Sequence, residues 1–162
     1  MSNVFVSKEI LESDILSVTI RNHNKRNALS DGIKLELENI ALELRDKTEI
    51  KAVIISGEKG NFCSGNDIKE KNAFGDGLDL EAARQKNRLG LRMCDAWTNI
   101  PQISVASIEG ACIGGGVSLA LACDFRFCGP ESSFYVPELE LGFTYAWGTI
   151  PKLVSLVGPS KA

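Results

Sequence analysis

The pattern of apolar and polar positions predicts two strands at the start of the chain and a helix after them. Two stretches rich in β-branched residues, 4–13 and 15–21, predict a hairpin. Ser30 or Asp31 can cap a helix that runs to about Arg45. Its apolar stripe at helical spacing consists of Ile33, Leu37, Ile40, Ala41 and Leu44.

The rest of the chain continues this alternation of strands and helices. The continuous apolar run at 52–56 is typical of a strand buried on both faces. Further short strands are predicted at 103–108, 125–128 and 133–136, and helices at 81–97, from Gly114 onward, and from about Pro151 to before Gly158. This alternation predicts an α/β domain with largely parallel pairing, and a length of 162 residues fits a single domain.

Composition and charge exclude several classes of function. Lys and Arg total 18 against 21 Asp and Glu, so the net charge of -3 argues against a nucleic-acid-binding surface. The longest apolar stretch, 117–123, is too short to span a membrane, and residues 1–5 show no signal peptide. Five cysteines, an odd number, favour reduced thiols, and their spacing predicts no metal site. We therefore expect a cytoplasmic protein without nucleic-acid, membrane or metal partners.

Two segments combine a buried strand, glycine and an expected helix start. They are 61–69, after the run at 52–56, and 108–116, after the strand at 103–108. The first N–H groups of a helix lack backbone partners, and glycine lets a ligand approach them. Two such segments that face each other can form an oxyanion hole, which stabilises an oxygen that becomes negative during a reaction. The alternative for Gly114, Gly115 and Gly116 is close packing of helix against strand.

An oxyanion hole needs a partner that moves protons, and Glu138 is the candidate. It follows Pro137 in an apolar neighbourhood, where desolvation would raise its pKa towards neutrality. An ordinary surface glutamate is the alternative, and Glu140 would point the same way if the segment is extended. A serine or cysteine hydrolase that uses Ser64 or Cys63 is a weaker alternative, because no triad spacing accompanies them.

Four motifs then occur in one order along almost the whole chain. They are 25–29, 62–70, 114–116 followed by 122–124, and 137–142. With these motifs the chain resembles the crotonase superfamily, also called the enoyl-CoA hydratase/isomerase family. The resemblance implies an α/β fold of the crotonase-like (ClpP/crotonase) type, a spiral of ββα units. It also implies that the substrate is an acyl-CoA thioester and that no further cofactor is used.

The resemblance also assigns roles to individual residues. The backbone N–H groups of Asn66 and Gly115 would hold the thioester carbonyl oxygen, and Glu138 matches the second of two glutamates used by hydratases. The positions implied to contact CoA or the acyl group are Lys25, Arg26, Ala28, Ser64, Asn66, Asp67, Ile68, Lys69, Ile113, Gly115, Ser118 and Pro137.

One departure from the family pattern changes the expected reaction. Ser118 stands where hydratases carry their first glutamate. Hydration uses two carboxylates, whereas moving a double bond needs one base that takes a proton and returns it elsewhere. Glu138 alone therefore favours enoyl-CoA isomerisation over hydration, with dehydration, decarboxylation and thioester hydrolysis as further alternatives. Tyr145 and Trp147 stand where the family is richer in glycine, which predicts an unusual acyl pocket.

The second departure is length. Family members continue into further helices that complete the acyl pocket and form the contacts of a trimer or hexamer. We expect residues 1–162 to be an N-terminal catalytic core without those C-terminal helices, and the homo-oligomer to be doubtful for this chain. A non-catalytic acyl-CoA-binding or assembly fragment is the alternative. Apolar surface is expected to be exposed where such helices would pack.

Overall fold

The computed structural model describes residues 5–12 and 14–162, and its elements follow the predicted order. Val4 and Ser13, which belong to the predicted hairpin, lie outside the described residues. The strands are β1 (Val6–Glu12), β2 (Ile15–Ile20), β3 (Ala52–Gly57), β4 (Ile103–Ile108), β5 (Ala111–Ile113), β6 (Phe125–Cys128) and β7 (Ser133–Tyr135). The helices are α1 (Asp31–Leu44), α2 (Leu80–Thr98), α3 (Gly115–Ala122) and α4 (Thr149–Val157).

The described strands form two sheets, and their pairing confirms the predicted α/β architecture. The larger sheet has the order β1-β2-β3-β4-β6, in which β1 and β2 form the predicted antiparallel hairpin and the other neighbours are parallel. The smaller sheet pairs β5 with β7 in parallel. Strand β5 was not predicted, because three residues are too few to show a strand period.

Helices α1 and α2 pack on each other and on one face of the larger sheet. The Ser30 hydroxyl caps α1 by accepting a hydrogen bond of 3.3 Å from the backbone N–H of Ile33, and the predicted apolar stripe of α1 is buried. Trp97 of α2 is fully buried and donates a hydrogen bond of 3.0 Å from its indole N–H to the carbonyl of Leu37. Gly90 does not interrupt α2.

The prediction that 52–56 is buried on both faces is wrong. Val53 and Ile55 of β3 are fully buried in the core shared with the helices, whereas Ala52 and Ile54 on the other face stay partly exposed. This alternation is typical of a sheet covered by helices on one face only. An uninterrupted apolar run therefore did not distinguish one covered face from two.

Helix α3 is buried along its whole length, and the chain becomes more exposed after it. Arg126 donates hydrogen bonds of 3.2 and 2.7 Å to the carbonyls of Ala120 and Cys123 and so satisfies the end of α3. Beyond it, large apolar side chains are exposed, as predicted: Phe125, Phe127, Phe134, Leu139, Leu141, Phe143, Ile150 and Leu156. Within the described residues, no helix has the length and apolar character needed to cross a membrane.

Candidate active site

The structure brings all the predicted site residues to one cleft with a volume of about 680 Å³. The cleft lies between the loops after β3, the start of α3 and the segment after β7. Its lining includes Lys25, Arg26, Ala28, Ser64, Asn66, Asp67, Ile68, Lys69, Ile113, Gly115, Ser118, Pro137 and Glu138. Their shared location makes a common role possible, and each role stays a prediction.

The first candidate donor is the backbone N–H of Asn66. Asn66 faces Leu29 in an isolated parallel bridge, in which Leu29 bonds to Gly65 and Asp67 on either side. The N–H of Asn66 therefore points away from this bridge, and in the described part of the chain it donates to no protein acceptor. The predicted helix start in 61–69 is wrong, because turns follow Asn66. The Asn66 N–H has no acceptor because the parallel bridge to Leu29 directs it away, and not because it begins a helix.

The second candidate donor is the backbone N–H of Gly115, the first residue of α3. Gly114 caps the helix with a φ of 48°, a conformation that favours glycine, and its own N–H bonds to the carbonyl of Tyr135 at 2.8 Å. The first N–H groups of a helix have no intrahelical acceptor. Among the described residues, the Gly115 N–H also finds no acceptor outside the helix.

The two donors belong to backbones in close contact. A methyl group built on Gly65 would lie 2.8 Å from the carbonyl oxygen of Ile113 and 3.4 Å from the nitrogen of Gly115. Cys63 continues this contact, because it bridges β5 by bonding to Ala111 and Ile113. The loop that carries Asn66 is therefore hydrogen-bonded to the strand that leads into α3.

Glu138 lies against the same turn. A methyl group on Gly114 would approach a Glu138 carboxyl oxygen to 2.7 Å, so the carboxyl group sits directly over this glycine. Its Oε2 is buried and, within the described residues, has no hydrogen-bond partner. Desolvation raises the pKa of Glu138, and a backbone N–H opposes this only in part. Such a carboxyl group is suited to exchange protons with a bound ligand.

The Glu138 side chain has no second carboxylate beside it at the Ser118 position. Ser118 is buried and instead forms a hydroxyl cluster, 2.8 Å from the Thr149 hydroxyl and 3.3 Å from the Tyr145 hydroxyl. Tyr145 in turn donates to the carbonyl of Gly114 at 3.1 Å. Desolvation raises the pKa of Tyr145 strongly, so this phenol stays protonated. The cluster fixes the segment after β7 against the start of α3.

Trp147 forms a wall of the cleft next to the Gly115 donor. Methyl groups on Gly115 and Gly90 would lie only 2.4 and 1.9 Å from its ring atoms, so the indole lies between α2 and α3. The φ of Trp147 is 60°, which is uncommon for a bulky residue. The predicted influence of Trp147 on the acyl pocket is consistent with this position.

Several predicted residues have other partners. Lys25 at the exposed rim pairs with the buried Asp67 at 2.6 Å, and the Ser64 hydroxyl donates to the carbonyl of Lys25 at 3.0 Å. The segment that contains Glu138 and Glu140 forms a turn, so the two side chains do not point the same way. The Glu140 carboxylate instead accepts a hydrogen bond from the Tyr135 hydroxyl. Cys63 is fully buried and burial raises its pKa to about 12, which argues against a cysteine nucleophile.

Two contributors to the site were missed. Buried Asn27 donates to the carbonyls of Glu58 and Asn61 at 2.9 and 2.7 Å and so anchors the loop before the first donor. Lys34, which is 3% exposed, lines the cleft and donates to the Asn66 Oδ1 at 2.9 Å. A signal for Lys34 was available, because it lies three residues before Leu37 on the apolar side of α1.

Known proteins resemble this chain over most of its length. A family model described as enoyl-CoA hydratase/isomerase matches residues 11–162. Ethylmalonyl-CoA decarboxylase of Danio rerio is 36% identical over 96% of this chain and 51% of its own length. The peroxisomal Delta(3,5)-Delta(2,4)-dienoyl-CoA isomerase of Arabidopsis thaliana is 31% identical over 93% of this chain and 57% of its own length.

Solved structures show the same likeness. AtuE of Pseudomonas aeruginosa has a TM-score of 0.88 at 30% identity, over 97% of this chain and 60% of that one. An enoyl-CoA hydratase from Bacillus anthracis also has a TM-score of 0.88, at 26% identity, over 97% of this chain and 60% of its own. The predicted fold class is thereby confirmed. The chain spans about half the length of the curated relatives it matches.

Proposed function

The chain belongs to the enoyl-CoA hydratase/isomerase family, the crotonase superfamily, and from this premise we propose that it binds an acyl-CoA thioester and stabilises its enolate. The observation that carries the proposal is the pair of unpaired N–H groups on Asn66 and Gly115 beside the Glu138 carboxyl group in one cleft. Backbone donors fixed in this way bind the carbonyl oxygen more strongly as it becomes negative. Each would contribute about 3–4 kcal/mol to transition-state stabilisation.

The first candidate reaction is double-bond isomerisation. Glu138 as carboxylate takes a proton from the carbon next to the thioester of a 3-enoyl-CoA, and the electron pair moves into an enolate held by Asn66 and Gly115. Glu138 then returns the proton two carbons further along, which yields the 2-enoyl-CoA. One carboxyl group suffices for this cycle, in keeping with the hydroxyl cluster at Ser118. Neither water nor a cofactor besides the CoA thioester enters the reaction.

The second candidate reaction is decarboxylation of an alkylmalonyl-CoA. It is favoured by the curated relatives named ethylmalonyl-CoA decarboxylase, which are 32–36% identical to this chain. The bond between the α-carbon and the carboxylate breaks, carbon dioxide leaves, and the electron pair forms the same enolate. Glu138 as protonated acid then delivers a proton to the α-carbon. The buried Glu138 Oε2, which has no hydrogen-bond partner among the described residues, is the atom on which such a proton would reside.

Substrate assays with a matched pair of variants test the proposal. The purified chain is given 3-enoyl-CoA and 2-enoyl-CoA, with ultraviolet detection of the conjugated thioester, and alkylmalonyl-CoA, with detection of carbon dioxide. Glu138→Gln should lower kcat about 100- to 10,000-fold while acyl-CoA binding persists. Glu140→Gln is the control, because Glu140 is exposed and bonded to Tyr135, and it should keep wild-type turnover.

The outcomes separate the candidates. Conversion of 3-enoyl-CoA supports isomerisation, and release of carbon dioxide supports decarboxylation. Unchanged turnover in Glu138→Gln would contradict the assigned role of this residue. Binding of acyl-CoA without turnover of any substrate would favour the non-catalytic alternative.

A further inference from the structure

The charges that line the cleft are mainly positive, although the chain as a whole carries a net charge of -3. The lining contains the acidic residues Asp67 and Glu138 and the basic residues Lys25, Arg26, Lys34, Lys69 and Lys86. Lys25, Arg26 and Lys69 are exposed at the rim and are those expected to meet CoA. The side chains of Lys34 and Lys86 are only 4% and 13% exposed. These two inner lysines are not accounted for by a CoA contact.

The inner lysines share a single carboxylate partner. Lys34 lies 2.8 Å from Asp31, and Lys86 also contacts Asp31. Burial alone would raise the pKa of Asp31, but the two lysines together lower it, so Asp31 is ionised. The nearby Glu70 accepts the backbone N–H of Asp31 at 2.9 Å and, in the described part of the chain, pairs with neither lysine. Two poorly solvated ammonium groups thus share one counter-charge, an arrangement favourable to an anionic ligand.

The Lys34 ammonium group lies beside the residues that carry the candidate donors. It donates to the Asn66 side chain at 2.9 Å and lies 5.9 Å from the centroid of the Trp147 ring, which covers Gly115. An ammonium group has three N–H donors. Asn66 accepts one of them, Asp31 lies at an ion-pair distance of 2.8 Å, and no further protein acceptor is found among the described residues. The remaining donor is available to a ligand close to the thioester position.

We infer that Lys34, together with Lys86, forms a subsite for a carboxylate carried by the acyl group. This inference rests on the proposed function and narrows its substrates from acyl-CoA thioesters in general to those with an anionic acyl group. The carboxylate lies within a few bonds of the thioester carbonyl, because Lys34 contacts Asn66 and the indole of Trp147 closes the neighbouring space. The class of substrate is therefore a short acyl-CoA that bears a carboxylate.

Two pairs of thioesters of matched shape test this subsite. Succinyl-CoA and butyryl-CoA differ in a terminal carboxylate, and methylmalonyl-CoA and isobutyryl-CoA differ in a carboxylate on the α-carbon. Binding is measured by calorimetry on the full chain carrying Glu138→Gln, in which turnover is expected to be slow. In at least one pair the carboxylated thioester should bind about tenfold or more tightly than its partner, as expected for a charged hydrogen bond.

Lysine variants then test whether Lys34 and Lys86 cause the preference for the carboxylated thioester. Lys34→Met should abolish the preference for the carboxylated thioester and leave binding of its uncharged partner nearly unchanged, and Lys86→Met should reduce the preference. Lys152→Met is the matched control, because Lys152 lies outside the cleft and bonds to Thr98, and it should leave the preference intact. If Lys34→Met does not fold by circular dichroism, Lys34→Gln and Lys86→Met provide the same comparison.

The failures of the two proposals are distinguishable. Equal binding within both pairs, or a preference that survives Lys34→Met and Lys86→Met, overturns the subsite alone. Equal weakening of charged and uncharged thioesters by Lys34→Met overturns it too, because Lys34 then only supports Asn66. Binding of none of the four thioesters by the full chain overturns the proposed function and the subsite with it.

Discussion

The core region (residues 15–122) and the C-terminal region (residues 123–162) contribute to one cleft but differ in how they are held. In the core region, Trp97, Phe62 and Leu37 are fully buried. In the C-terminal region, Phe127 is 67% exposed and Leu139 is 83% exposed. The core region is thus stabilised by its own apolar packing, whereas much of the apolar surface of the C-terminal region gains nothing from burial.

The two regions also supply different kinds of chemical group. The core region supplies the backbone N–H groups of Asn66 and Gly115, whose directions follow from strand bridging and from the start of α3. The C-terminal region supplies side chains, namely Glu138, Tyr145 and Trp147. Side-chain substitution does not remove a backbone donor, whereas it readily replaces an acid or a pocket wall. Under the proposed function, this difference would let one fold keep enolate stabilisation and vary the reaction.

The largest expected effect tests the difference in packing directly. Leu37→Ala in the core region should lower the free energy of unfolding by about 2–5 kcal/mol, because it leaves a cavity beneath α1. Leu139→Ala removes the same atoms from an exposed position and should change it by less than about 0.5 kcal/mol. Denaturant unfolding of both variants measures the difference. Equal losses would show that the C-terminal region is packed as firmly as the core region.

A smaller effect tests the contact between the regions. Gly90→Ala introduces a methyl group into the indole of Trp147 and should cost about 1–3 kcal/mol, because the ring is displaced from Gly115. Gly32→Ala is the matched control: it also lies within a helix, its methyl group meets only the Ser30 hydroxyl at 3.8 Å, and it should stabilise the protein by up to about 1 kcal/mol. Stabilisation by both alanines would mean that Trp147 does not pack on Gly90.

How much of the fold could be predicted depended on the length and the period of each element. The stripe of α1 and the long helix α2 have clear periods, so both elements were predicted within a few residues of their observed bounds. Strand β5 was missed because three residues carry no period. The open face of β3 was missed because its apolar run does not reveal which elements cover it. Local patterns specify elements, whereas the number of covered faces depends on distant parts of the chain.

The candidate site could be predicted where the chemistry depends on the backbone or on motifs. The glycines and strand ends predicted the two donor segments, and the family resemblance singled out Gly115 and Asn66 within them. The helix expected after Asn66 proved to be turns. Lys34 was missed because a lysine in an amphipathic helix is usually solvated, and its burial depends on Asp31, Asn66 and Trp147. The helical period placed Lys34 on the buried side of α1, but its distant partners Asn66 and Trp147 left no local signal.

The smallest expected effect contrasts the two regions through pH. The pKa of Asp31 in the core region is lowered, so Asp31 contributes stability above its usual value of 3.8 that is lost as pH falls through the lower folded pKa. The pKa of Glu138 is raised, so its contribution is present below its usual value of 4.5 and is lost as pH rises through the higher folded pKa. The two carboxyl groups should therefore affect stability in opposite directions.

This contrast is measured from the unfolding free energies of Glu138→Gln and Asp31→Asn between about pH 3 and about pH 8. The range begins near the usual pKa values of the two carboxyl groups and extends past neutrality. Relative to wild type, Glu138→Gln should become more stable as pH rises above about 4.5, because glutamine needs no ionisation in a desolvated place. Relative to wild type, Asp31→Asn should be destabilised by a constant amount above about pH 3.8, because Lys34 and Lys86 lose their shared counter-charge, and this difference should shrink as pH falls below 3.8. A pH-independent difference for Glu138→Gln would contradict its desolvation and, with it, the physical basis for its role as the proton carrier.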